Sequence, residues 1–103
     1  MWKVMIADDE TYMLEAMENL IDWKKMDCEL VYKAQNGQDL LEQIKRNTPD
    51  IIITDIKMPL VSGIEVARYV YENRIPAKVI ILSAYAEFQY AQEAIKYDVW
   101  LYY

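Results

Sequence analysis

The sequence predicts an open α/β fold in which helices cover both faces of a parallel sheet. Short apolar runs typical of buried strands alternate along the chain with segments whose apolar residues recur at helical spacing. The resulting order is β-α-β-α-β-α-β-α-β, and a helix between consecutive strands calls for parallel pairing with right-handed crossovers. Because no repeat or linker interrupts this order, we expect residues 1–103 to form one doubly wound domain with five strands and four helices.

The first half of the chain supplies three of the predicted strands. Residues 2–7 (WKVMIA) form the first, and a helix from residue 11 to about residue 23 follows, because its apolar side chains share one face. Residues 29–34 (ELVYKA) form the second strand, and residues 51–54 (IIIT) form the third. The second helix lies between these two strands and is marked by Leu40, Leu41 and Ile44.

The second half of the chain continues the alternation. The third helix is marked by four apolar residues at helical spacing, Ile64, Ala67, Val70 and Tyr71. Residues 78–83 (KVIILS) form the fourth strand, and residues 99–103 (VWLYY) form the fifth. The fourth helix lies between these strands and is marked by Phe88, Ala91 and Ile95.

Composition and charge exclude several classes of protein. A net charge of −6 gives the chain no general attraction for phosphate backbones, so we expect no direct binding to nucleic acid. No apolar run approaches the roughly 20 residues of a membrane span, and acidic residues begin too early for a secretory signal peptide. The single cysteine, Cys28, predicts a reducing, cytoplasmic location. A chain without histidine lacks the usual zinc and copper ligands, so any metal would be a hard cation bound by oxygen.

Acidic and hydroxyl side chains follow the predicted strands at the point where each strand ends. Asp8 and Asp9 follow the first strand, Asp55 follows the third, and Ser83 ends the fourth. Open parallel sheets bind ligands at the carboxyl ends of their strands, so three carboxylates meet there if the first and third strands are neighbours. Like charges this close need a compensating cation such as Mg²⁺. The pattern therefore indicates phosphoryl chemistry, with Asp55 as the nucleophile.

Each of these residues also has an ordinary structural interpretation. An acidic run after a strand stabilises the amino end of the next helix. Asp55 or Ser83 alone could end a turn or cap a helix. It is their combination at the ends of several strands that favours a functional site.

Three segments closely resemble the receiver domain of two-component response regulators, in particular receivers joined to AraC-type DNA-binding domains. They are KVMIADDE, PDIIITDIKMPLVSGIEV and KVIILSAYAEFQYAQEAI, and the resemblance extends from about residue 2 to residue 97. It implies a flavodoxin-like sheet with strand order 2-1-3-4-5. It also implies a sensor histidine kinase as partner, an AraC-type output domain in the parent protein, and a signalling role rather than that of an enzyme.

The resemblance gives the acidic residues individual roles. Asp55 would accept the phosphoryl group, Asp9 would ligate Mg²⁺ directly, and Asp8 would do so through water. The backbone carbonyl of Lys57 would complete the protein ligands of the metal.

Three further residues match the conformational switch of the family. Ser83 matches the hydroxyl that turns inward to the phosphoryl oxygens, and Ala84 matches the small residue that leaves the phosphoryl group room. Tyr102 falls at the position of the aromatic residue on the fifth strand whose rotamer follows that hydroxyl. Added phosphoryl charge would re-pair these groups and so switch the domain.

The C-terminal residues DVWLYY depart from the family pattern. Asp98 stands where a glycine usually ends the fourth helix, and Leu101 stands where an aspartate is common. The lysine that contacts the phosphoryl group would fall two residues beyond Tyr103, and the fifth helix would follow it. We therefore expect impaired phosphoryl transfer to Asp55, and either self-association as a homodimer through an uncovered apolar face of the sheet or an alternative arrangement of the last strand.

Three alternatives are open at this point. A haloacid-dehalogenase-type phosphatase would carry Asp-x-Asp after its first strand, whereas Asp55 ends the third and is followed two residues later by Lys57. A flavin carrier of similar fold needs a Ser/Thr/Gly-rich loop after the first strand, where ADDE would repel a phosphate. A shortened or engineered receiver-derived scaffold without phosphotransfer activity fits the altered C-terminus and is the strongest of the three.

Overall fold

A parallel sheet organises the fold. The computed structural model describes residues 1–82, 92 and 96–102. Residues 101 and 102 are described by their backbone alone. The strands are β1 (Trp2–Ala7), β2 (Cys28–Ala34), β3 (Ile51–Thr54), β4 (Lys78–Leu82) and β5 (Trp100–Tyr102). They pair in the order β2-β1-β3-β4-β5, and every pair is parallel. The predicted α/β fold with a parallel, flavodoxin-like sheet is confirmed.

Three α-helices lie within the described residues: α1 (Thr11–Leu20), α2 (Gly37–Arg46) and α3 (Gly63–Glu72). The Asn36 side chain caps α2, and the Ser62 hydroxyl caps α3 by accepting a hydrogen bond from a backbone N–H of the first turn. None of these helices is long and apolar enough to cross a membrane. The predicted fourth helix, marked by Phe88, Ala91 and Ile95, falls on residues outside those described.

The first helix is shorter than its apolar pattern predicts. α1 ends at Leu20 rather than near Trp23, because Ile21 is extended (φ −94°, ψ 127°) and the chain then enters a short 3₁₀ turn, Lys24–Met26. Ile21 and Trp23 nevertheless pack against the core beneath α1. The pattern identified side chains that face inward, but not the residue at which the helix ends.

The sheet buries an apolar layer on each face. β1 shows the division, since Met5 and Ala7 join the cluster beneath α2 and α3, whereas Val4 and Ile6 join the cluster beneath α1. Ile52, in the middle of β3, is fully buried in the first cluster. Burial of a side chain of this size stabilises the fold by about 1.5–3 kcal/mol. The end of β3, from which Asp55 follows, is therefore held in place by the core.

The α1 face of the sheet is covered less completely towards β4 and β5. Ile53 of β3 lies on this face, and the register places Ile80 and then Trp100 beside it. Ile53 and Ile80 are half-buried, and Trp100 is 58% exposed. Leu82, two residues beyond Ile80 on the same face, is also exposed. This part of the described chain therefore carries apolar surface, and self-association through it stays a prediction.

The turn before β5 adopts the conformation that the family pattern requires. Asp98 has a φ of 56°, the left-handed region in which a glycine is usual. The preceding Tyr97 packs edge-on against Tyr71 of α3, with ring centroids 5.8 Å apart. The turn is thus held against α3 by an aromatic contact, and an aspartate occupies the position at some conformational cost.

Candidate functional site

The carboxyl ends of β1 and β3 lie side by side at the centre of the sheet. Ala7 of β1 pairs with Thr54 of β3, and the N–H of Asp55 donates to the carbonyl oxygen of Ala7 at 3.1 Å. Asp8, which follows β1, is therefore next to Asp55, which follows β3. The neighbouring strands on which the predicted acidic site depends are present.

Three carboxylates converge at this edge of the sheet. One carboxylate oxygen from each of Asp8, Asp9 and Asp55 lies within 4.8 Å of the other two. Asp8 is buried, Asp55 is half-buried and Asp9 is exposed, so the cluster reaches solvent through Asp9. Three negative charges at this distance repel one another strongly where the surroundings are partly apolar. The arrangement favours binding of a cation.

Asp8 is the most deeply placed of the three carboxylates. Burial, above all, raises its pKa from 3.8 to about 6, and the neighbouring negative charges of Asp55, Asp9 and Glu10 act in the same direction. The N–H of Glu10 donates to Asp8 Oδ1 at 2.9 Å and lowers the pKa in part. Asp8 therefore holds its negative charge at neutral pH at a cost in stability, which a bound cation would offset.

Asp55 is held by the backbone that follows it. The N–H of Ile56 donates to Asp55 Oδ1 at 2.8 Å, which opposes a pKa that burial raises above its usual value. The charges of Asp9 and Glu10 raise the pKa further. Asp55 Oδ1 is thus fixed in orientation, and the carboxylate projects from the end of a buried strand.

Two residues beneath Asp55 were not singled out from the sequence as part of the site. Thr54 is fully buried, and its hydroxyl donates to the carbonyl oxygen of Asp55 at 3.0 Å. Gly63, the first residue of α3, lies so close that a Cβ on it would stand 2.1 Å from the same carbonyl oxygen. The scarcity of glycine, with two in the whole chain, is the signal that could have drawn attention to Gly63.

The structure describes two of the four remaining predicted site residues, Lys57 and Tyr102. Lys57 lies in the loop between β3 and α3 with its side chain exposed, and ligation through its carbonyl oxygen stays a prediction. The backbone of Tyr102 lies on β5 beside Leu82 of β4, which is the strand that the prediction gave it. Ser83 and Ala84 lie outside the described residues.

The donor set suits a hard divalent cation. Carboxylate oxygens are the ligands that Mg²⁺ and Ca²⁺ prefer, whereas zinc and copper sites are usually built from histidine and cysteine. A buried carboxyl with a raised pKa, as Asp8 has, is a group whose charged form a nearby cation stabilises. The three residues therefore fit the predicted Mg²⁺ ion.

Comparison with known proteins identifies the family. Residues 4–102 match the response regulator receiver domain. Over 99 residues, which are 96% of this chain, it is 41% identical to the uncharacterized transcriptional regulatory protein YesN of Bacillus subtilis. It is 33% identical over the same share of its length to the transcriptional regulatory protein HptR of Staphylococcus aureus.

Solved structures show the same fold. The receiver domain of AraT, a response regulator from Geobacillus stearothermophilus, superposes with a TM-score of 0.88 at 38% identity, covering 98% of this chain and 78% of that one. A DNA-binding response regulator of the LuxR family from Staphylococcus aureus gives a TM-score of 0.89 at 30% identity, covering 99% of this chain and 84% of that one.

The match covers only part of the curated relatives. The chain spans 27% of the length of YesN and 38% of the length of HptR. It therefore corresponds to a part of such proteins. The chain belongs to the response regulator receiver domain family of two-component systems.

Proposed function

We propose that this receiver domain accepts a phosphoryl group on Asp55 from the phosphohistidine of a sensor kinase, in a reaction that depends on Mg²⁺. The observation that carries the proposal is the convergence of Asp8, Asp9 and Asp55, with one carboxylate oxygen of each within 4.8 Å of the others, at the ends of the neighbouring strands β1 and β3. In this role the domain is the substrate of a kinase and not itself an enzyme that acts on a separate molecule.

The phosphoryl transfer follows from the way in which Asp55 is held. Because the N–H of Ile56 fixes Oδ1, Oδ2 is the oxygen best placed to attack phosphorus. A new O–P bond forms, the P–N bond of the phosphohistidine breaks, and the imidazole leaves with its electron pair. Bound Mg²⁺ would neutralise charge on the phosphoryl oxygens. Asp9 would ligate the ion directly, Asp8 through water, and the Lys57 carbonyl would complete the protein ligands.

The signal would then pass to the neighbouring strands. Ser83 would turn towards the new phosphoryl oxygens, Ala84 would leave them room, and Tyr102 would follow the change at Ser83. The backbone pairing of Tyr102 on β5 with Leu82 on β4 supports this role. A modest local change in charge can bias a two-state element in this way.

The parent protein would act in the cytoplasm on gene expression. YesN and HptR carry the name of transcriptional regulatory proteins, and this chain corresponds to a fraction of their length. We propose that the remainder of the parent is a DNA-binding output domain of the AraC type, as the sequence resemblance implies. The acidic receiver would regulate that domain rather than contact nucleic acid.

Mass spectrometry after incubation with Mg²⁺ and phosphoramidate, a small phosphodonor, tests the proposal. We expect a gain of one phosphoryl group on the peptide that contains Asp55, slow and incomplete because the sequence predicts impaired transfer, with no gain without Mg²⁺ and none in Asp55→Asn. Glu29→Gln is the matched control, because it removes an exposed carboxylate on β2, away from the cluster. Equal labelling of wild type and Asp55→Asn, or labelling that persists in a chelator, would contradict the proposal.

A scaffold that self-associates without phosphotransfer is the second candidate. It is favoured by the exposed side chains of Leu82 and Trp100 on strands of the sheet. Light scattering distinguishes it, because Trp100→Lys should convert a dimer into a monomer. A wild-type chain that is monomeric at high concentration and becomes phosphorylated would rule this candidate out.

A further inference from the structure

The amino end of α2 packs against the loop that follows Asp55 with no space between the two backbones. A Cβ built on Gly37 would lie 1.9 Å from the carbonyl oxygen of Val61 and 2.6 Å from its carbonyl carbon, whereas ordinary contacts begin at 3.4 Å. Neither glycine of the chain has a positive φ, so Gly37 supplies close approach and not an unusual conformation. Because the opposing atoms are backbone, no side-chain rotation can relieve the clash.

α2 cannot easily move away from this contact. The Asn36 side chain accepts a hydrogen bond from the N–H of Asp39 at 2.8 Å, and the hydroxyl of Tyr32 on β2 donates to the Asp39 carboxylate at 2.8 Å. Further along the helix, Leu40 and Ile44 are fully buried in the core. The amino end of α2 is therefore tied to β2 and to the core at the same time.

The loop of residues 56–62 is also fixed where it leaves β3. Ile56 is fully buried, and its carbonyl oxygen accepts a hydrogen bond from the N–H of Gly63 at 2.8 Å. Leu60, in the middle of the loop, is 78% exposed and has a φ of 73°. A displacement of Val61 would therefore act on a short loop that is held at both ends. In the middle of this loop, Leu60 already has an unfavourable backbone conformation.

We propose that Gly37 is a positioning residue of the cation site, because its contact with Val61 sets where the 56–62 loop lies relative to the three carboxylates. The inference rests on the proposed function, in which this loop supplies the Lys57 carbonyl. A methyl group at position 37 would displace the loop or the helix by on the order of 1.5 Å, because a packed interior cannot absorb the overlap. Metal–ligand distances tolerate only about 0.2 Å.

The test compares Gly37→Ala with Ile44→Val, a substitution about two turns further along the same helix that weakens the core without adding any atom against Val61. Amide chemical shifts of residues 56–62 other than Pro59, measured in the metal-free chain, report the loop position, and calorimetric titration gives the Mg²⁺ affinity. We expect the loop shifts to change in Gly37→Ala and to remain as in wild type in Ile44→Val. The dissociation constant for Mg²⁺ should rise roughly tenfold in Gly37→Ala alone, the scale seen when groups that orient metal ligands are altered.

The outcomes separate the two claims. Loop shifts in Gly37→Ala that equal those of wild type would overturn the role of Gly37, whether or not the metal binds. A wild-type chain that binds no Mg²⁺ would overturn the proposed function. If Gly37→Ala does not fold, Val61→Gly is added so that the carbonyl at position 61 can turn away. The double variant should fold and still bind Mg²⁺ weakly, and wild-type affinity in it would overturn the inference.

Discussion

β3 carries an aspartate at each end, and the two carboxylates lie in opposite electrostatic settings. At the amino end, Asp50 accepts a hydrogen bond from the N–H of Lys3 at 2.8 Å, and its backbone bonds to Lys3 and Lys78 on the two neighbouring strands. At the carboxyl end, Asp55 also accepts a backbone hydrogen bond, but two further carboxylates stand within 4.8 Å. One aspartate joins strands, whereas the other adds to a surplus of charge.

The difference shows that residue type and strand position do not by themselves predict whether a carboxylate joins two strands or lies within a cluster of like charges. Both residues border the same buried strand, and both have a backbone N–H as partner. What sets Asp55 apart is that the carboxylates of Asp8 and Asp9 share its end of the sheet; burial and like charges raise the pKa of Asp55. Perturbed carboxyls of this kind concentrate at functional sites, because a ligand supplies the missing counter-charge.

The largest expected effect comes from weakening the packing of β3, the strand that has Asp50 at one end and Asp55 at the other. Ile52→Ala should lower the free energy of unfolding by about 2–5 kcal/mol, because it removes a fully buried side chain and leaves a cavity. Urea unfolding measures the loss. Ile51→Ala, at a half-buried position on the opposite face, is the control and should cost clearly less. Equal losses in the two variants would show that the two faces of β3 are packed alike.

A smaller effect is expected from pH, and it concerns the carboxyl end alone. The pKa of Asp8 is raised from 3.8 to about 6, so the folded state binds this proton more tightly than the unfolded state. The resulting stabilisation is complete below about pH 4 and is lost as the pH rises through about 6. We expect metal-free wild type to lose roughly 1–2 kcal/mol across this window relative to Asp8→Asn.

Thermal melts of wild type and Asp8→Asn at several pH values check this prediction. Saturating Mg²⁺ should remove most of the difference above pH 7, because the cation binds the charged form of the cluster. Parallel pH profiles for the two proteins would contradict the assignment of the slope to Asp8.

The smallest effect distinguishes the two aspartates directly. In the metal-free chain at pH 8, Asp55→Asn should raise the free energy of unfolding by about 1 kcal/mol, because it removes a disfavoured charge while its amide oxygen can still accept from Ile56. Asp50→Ala should lower it by about 1 kcal/mol through loss of the hydrogen bond from Lys3. Denaturant titrations of both variants give the sign of each change in the free energy of unfolding. Two changes of the same sign would contradict the contrast between Asp50 and Asp55.

The sequence allowed much of this site to be predicted. Apolar runs located the strands, and the rule that parallel sheets bind ligands at their carboxyl ends predicted that Asp8, Asp9 and Asp55 lie close together, as the structure shows. These inferences succeed because strand periodicity and chain order are local properties. The end of α1 was predicted wrongly because Ile21 and Trp23 are apolar at helical spacing, yet they reach the core from an extended segment and a turn.

Other features depend on distances that no local pattern encodes. Gly37 and Val61 are far apart in sequence, and their backbones touch only because α2 and the loop after β3 pack on the same side of the sheet. The position of Thr54 beneath the Asp55 carbonyl likewise follows from the packing of the strand end. Such contacts are determined by the assembled fold, so the sequence predicted which carboxylates converge but not the residues that hold them in place.

The pairing of β1 with β3 also has a consequence for kinetics. Lys3 and Asp50, which join the amino ends of these strands, are 47 residues apart, so the segments that carry the three carboxylates meet only after a long loop has closed. Contacts of high sequence separation form slowly. If these strand ends pair only after the transition state for folding, a cation bound by both of them is absent from that transition state. It would then leave the folding rate nearly unchanged and slow unfolding instead. In that case Mg²⁺ prolongs the lifetime of the native state.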